Sequence, residues 1–118
     1  MKASLKHLIA TGLLASAPVF AADCVMPETP ELPDGTSATM DEMISGQKAF
    51  KAFQADAQAF RDCVDETMEA MKAAADEGEE AAVAKYTAAV KDYNGSVAAE
   101  EKLAEEFNSA IRAYKAAN

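Results

Sequence analysis

No proline follows Pro33 in this 118-residue chain, and past Gly35 the only glycines are Gly46, Gly78 and Gly95. A stretch so free of breakers is built for helices, and the spacing of its apolar residues supports that reading. Thr39-Met40-Asp41-Glu42 is a capping box. The Thr39 hydroxyl can accept from the Glu42 amide while the Glu42 carboxylate reaches back to the Thr39 amide. From there to about Asp76, Met43, Phe50, Phe53, Ala57, Phe60, Val64, Met68, Met71 and Ala75 recur at steps of three, four and seven. They form one stripe on a helix roughly 55 Å long. Gly78, inside the acidic run Asp76–Glu80, suits a left-handed C-terminal cap.

A second stripe follows through Val83, Tyr86, Val90, Tyr93, Val97, Leu103, Phe107, Ile111 and Tyr114. Asn94-Gly95 lowers helix propensity by about 1 kcal/mol or more. Either a kink, or a break with Ser96 as a new N-cap, is compatible with it. In an antiparallel hairpin, facing residue numbers sum to a constant. Met43 with Tyr114, Phe50 with Phe107, Val64 with Tyr93 and Met71 with Tyr86 all give 157, which centres the turn between Gly78 and Glu79. The expected fold is all-α, a long antiparallel two-helix hairpin with coiled-coil character. Its alanine-rich stripes make a thin core that needs cover on a third side.

The segment before the helices can supply that cover. Pro27, Pro30 and Pro33 fall every third residue after Cys24, and three residues make one turn of polyproline II. Cys24 and the three prolines then share one face, while Val25, Glu28, Glu31 and Asp34 share another. A Cys24–Cys63 disulfide would lay the proline face along the first helix, near Ala52, Phe53, Ala59 and Phe60. Rod and helix segment have similar lengths, roughly 31 and 35 Å. Asp34-Gly35 provides the reversal. The alternative, a free proline-rich ligand, is opposed by the tether.

The pairing itself follows from compartment. Residues 1–21 carry Lys2 and Lys6, then a short apolar run ending Val19-Phe20-Ala21, the pattern of a secretory signal peptide cleaved after Ala21. The organisation expected is a signal at 1–21, a proline-rich segment at 22–38 and the hairpin at 39–118, with 22–118 one domain. The location is periplasmic or secreted. Asp23 argues against lipid attachment at Cys24, where a small neutral residue is wanted. In an oxidising compartment an even cysteine count reads as a disulfide.

Cys24, Pro27, Pro30 and Pro33, then "PDG", "ATMDEM", "GQKAFKAF" and the second cysteine in "FRDCVDE" resemble a group of small exported helical proteins of Gram-negative bacteria. The later "EFNSAIRAYKAA" is similar to their C-terminal helix. The resemblance implies export and a helical fold, and carries no activity or ligand residues with it.

Composition narrows the chemistry. The formal net charge of −9 becomes −11 once Lys2 and Lys6 leave, which repels nucleic acid and anionic lipid. The only histidine, His7, lies in the signal, so Ser–His and Cys–His catalysis has no base. The glutamate pairs read as solvated helical surface, and the Glu-x-x-His of a di-metal bundle is absent. Met40-x2-Met43 and Met68-x2-Met71 could hold copper(I) but sit on or beside the apolar stripe and read as core. No cofactor, metal site or catalytic residue is expected, and neither is a membrane span in the mature chain. The reading is a non-catalytic binding or adaptor module for an unidentified envelope protein or for itself. The alternative is a periplasmic chaperone, general or acid-responsive.

Overall fold

The computed structural model describes residues 24–118; the expected signal peptide and its cleavage site lie outside them. Two helices, α1 (Met40–Asp76) and α2 (Glu80–Ala117), pack antiparallel, and no strand occurs among the described residues. Residues 24–33 run extended, without helix or strand, and are tied to α1 by a Cys24–Cys63 disulfide spanning 39 positions of sequence.

Local chemistry sets the ends of α1. The Glu42 amide donates to Thr39 Oγ1 at 3.2 Å and the Thr39 amide donates to Glu42 Oε2 at 2.7 Å, so both halves of the capping box form. At the other end Gly78 takes φ +82°, the left-handed region that favours glycine. The Glu79 amide donates to the Ala74 carbonyl and the Gly78 amide to the Ala75 carbonyl, a Schellman motif that satisfies two orphan acceptors. Three residues therefore suffice to reverse the chain at the centre that the register required.

The register itself is visible across the seam. The rings of Phe50 and Phe107 lie with centroids 5.7 Å apart, and Arg61 reaches Ser96, both pairs on the same constant sum. The buried positions repeat every seven residues. On α1 they include Met43, Ala57 and Val64, with Gly46, Phe53 and Phe60; on α2 they include Ala82, Ala89, Ser96 and Leu103. A strict seven-residue repeat is the seam of a left-handed supercoil.

That repeat corrects two expectations. Val83 and Val90 are exposed, at 42% and 37%, because the seam runs one residue earlier through Ala82 and Ala89, whose small side chains permit close approach of the helices. And α2 is one continuous helix through Asn94-Gly95, with no break and no new cap at Ser96. Gly95 faces open space while Ser96 is buried in the seam, so packing on the buried side offsets the poor local propensity.

The glycines should therefore respond to alanine in opposite directions. Gly95→Ala meets no atom within 4 Å and should stabilise by about 0.5–1 kcal/mol. Gly46→Ala would drive its Cβ into the Pro33 ring and should cost about 1–3 kcal/mol. Urea midpoints at constant m-value check both.

Candidate functional site

Two flanks border the hairpin seam, and the extended segment occupies only one. On α1 the segment passes residues 42, 49, 56 and 63, a row 40° from the nearer edge of the seam at 100° per residue. Pro27, beside Cys24, shares a shallow cleft with Asp56, Ala59 and Phe60. Pro33 sits over Gly46, whose missing side chain makes room for the ring. Ala52, expected beneath the prolines, stays exposed, as does Ala59 at the cleft edge. Val25, Glu28, Glu31 and Asp34 face water, as the three-residue repeat required.

The third face of the repeat was not read from the sequence. Met26 packs against both core clusters, one around Phe53, Ala57 and Leu103 and the other around Phe60, Val64 and Ala89. Leu32 joins the first, and Cys24 the second. Gly35 is buried against the Ala110 carbonyl and the Tyr114 amide of α2, where any side chain would collide with backbone. The segment is thus a third layer that touches both helices. The signal that could have found it is Met26, Leu32 and Gly35 themselves, apolar or small at multiples of three residues.

Its reversal is held by Asp34. Thr36 donates to Asp34 Oδ1 from its hydroxyl at 2.7 Å and its amide at 2.9 Å, and the Ser37 and Ala38 amides donate to the Asp34 carbonyl. This is an Asx-type turn. The Thr36 hydroxyl, then its amide, hold the Asp34 carboxyl below its ordinary value. A carboxyl depressed by folding stabilises the turn above the unfolded carboxylate pKa, and that contribution fades as pH falls through the lowered value.

Arg61 closes the middle of the other flank. Only 8% exposed, it donates from Nη1 to Ser96 Oγ and from Nη2 to Gln58 Oε1 and Glu100 Oε1, each at 3.1 Å. Every buried side-chain polar atom among the described residues has a partner. Above and below this bridge the flank is open. Met40 and Ile44 on α1, and Val83 and Val90 on α2, are exposed there, and Met68, Val97 and Ile111 are half-buried.

A surface cleft of about 580 Å³ lies between Leu32–Asp34 and the start of α1, with Glu31, Asp41 and Glu42 at its margin. Among the described residues no three His, Cys, Asp or Glu side chains converge as a metal site, and no helix is long and apolar enough to cross a membrane. Of the methionine pairs, Met40 is exposed while Met43 is core, and Met68 and Met71 are both half-buried. No protein family, characterised protein or solved structure matches the chain.

Glu100→Ala should leave the Arg61 cation without its anion and cost about 2 kcal/mol, a little under the range for a fully buried pair because Glu100 is 27% exposed. Replacing both partners with apolar residues should recover most of that loss. Thermal or urea unfolding of the two variants measures the difference.

Proposed function

We propose that the chain is an exported, non-catalytic binding module, and that it binds through the open flank of the hairpin. The observation that carries this reading is the distribution of exposed apolar side chains. Of the large apolar side chains that stay exposed, Met40, Ile44, Val83 and Val90 lie on the flank that the extended segment leaves uncovered, and Val25 lies on the segment itself. Lone exposed apolar residues mean little, whereas a contiguous apolar patch marks an interaction surface, and each end of this flank exposes a pair. Export is supported by the signal pattern at 1–21 and by a disulfide, which persists in oxidising compartments. The absence of any histidine beyond His7 supports a role without acid–base chemistry at neutral pH.

A photocrosslinking residue placed in turn at Ile44, at Val90 and at Lys102, which points away from the open flank, tests the reading in the native envelope. Ile44 and Val90 should each give one discrete product and Lys102 none. A smear of many products growing at low pH would replace the module with a chaperone. Equal capture from all three positions would remove the open flank as the binding surface.

A further inference from the structure

We infer that Asn94-Gly95 is a modification site, at which Asn94 exchanges its side-chain nitrogen for a water oxygen, and that the Arg61 bridge keeps it silent while α2 is folded. Water is the only co-reactant. The Gly95 amide nitrogen gives up its proton and attacks Asn94 Cγ; a carbon–nitrogen bond forms there, and the side-chain nitrogen leaves as ammonia. The five-membered imide that results takes up one water. Cleavage at Cγ gives aspartate in an ordinary chain. Cleavage at the main-chain carbonyl gives isoaspartate, with the backbone rerouted through Cγ. Water enters, ammonia leaves, and nothing is oxidised or reduced.

Local sequence favours the reaction. Of the three asparagines, Asn94, Asn108 and Asn118, Asn94 alone precedes a glycine, whose missing Cβ leaves its nitrogen free to approach and its backbone free to turn. Both residues are exposed, and nothing lies within 4 Å of a Cβ built at Gly95. Water therefore reaches the pair, and no neighbouring side chain packs on the glycine.

The helix opposes it. An amide in an α-helix donates to the carbonyl four residues back, which for Gly95 in the continuous α2 is that of Lys91. Helical ψ at Asn94 also holds its side chain away from the Gly95 nitrogen. Ring closure waits for α2 to open locally. What resists that opening brackets the pair. Tyr93 packs against the cluster around Phe60, Val64 and Ala89. Ser96, only 1% exposed, accepts from Arg61 Nη1, and Glu100, one turn further on, accepts from Nη2. Once isoaspartate forms, the extra main-chain atom interrupts the hydrogen-bond ladder two residues before Ser96. Conversion is a one-way unfastening of the hairpin at its middle.

Mass spectrometry of the disulfide-bonded chain held in warm neutral buffer, with aspartyl and isoaspartyl peptides separated, tests this. In denaturant Asn94 should convert faster than Asn108 and Asn118. Folded, it should convert at least about a hundredfold more slowly than in denaturant. Glu100→Ala should speed the folded rate by about tenfold or more. Gly46→Ala, which weakens the end of the hairpin remote from Gly78, should leave that rate nearly unchanged, and Gly95→Ala should suppress conversion in either state. Equal folded and denatured rates, or no excess of Asn94 over Asn108 in denaturant, overturn the proposal. A Glu100→Ala rate no faster than the original, or one that Gly46→Ala matches, overturns it as well, because the Arg61 bridge would then not be the restraint.

Discussion

The structure depends on the seating of the extended segment against the helix pair. Two long helices meet along a seam where Ala57, Ala82, Ala89 and Ser96 alternate with Phe53, Phe60, Val64, Leu103 and Phe107, and two helices alone have a weak claim to independent stability. Met26 adds its side chain to both core clusters and Leu32 to the one around Phe53. The disulfide removes loop-closure entropy from the unfolded chain, worth about 4 kcal/mol for a loop of 39 residues in the chain-entropy picture. At the other end Gly35 against Ala110 and Tyr114 fixes where the reversal lies. The segment is held at both ends and filled in between.

This arrangement divides the hairpin into unequal parts. From Met43 to about Thr67 the helices have a third layer; towards Gly78 they have none, and there the exposed valines Val83 and Val90 lie. Across the seam, the segment also sets an acid-rich flank, with Glu28, Glu31 and Asp34, against the open one. Arg61 makes the open flank something other than an unfinished core. A buried guanidinium with three satisfied bonds pins the register at mid-hairpin without filling the flank with apolar bulk.

Much of this was legible in the residues, and what was not has physical causes. The capping box, the turn at Gly78, the register through Phe50 and Phe107 and the Cys24–Cys63 bridge all rest on local chemistry or strict spacing, and each is present. The seam of α2 was misread at Val83 and Val90, because hydropathy favours valine over alanine and close helix packing reverses that preference. Asn94-Gly95 suggested a break because propensity is counted without the tertiary contacts of Ser96. Arg61 was invisible since a cation on a helix reads as surface until its partners, 35 and 39 residues away, are placed beside it. Met26 and Leu32 were passed over because the prolines beside them gave the stronger period. Of the candidate binding site, the sequence contained the residues but not the flank, which exists only once the extended segment has taken the other.

The central claim is that the extended segment is a structural layer, and native-state hydrogen exchange on the oxidised and reduced chain tests it most directly. Reduction should speed exchange across Met43–Val64 and Tyr93–Tyr114, the stretches beneath the segment, while the amides near Gly78 change little. Unchanged protection beneath the segment after reduction would contradict the account, because the helices would then stand without the layer that the disulfide secures.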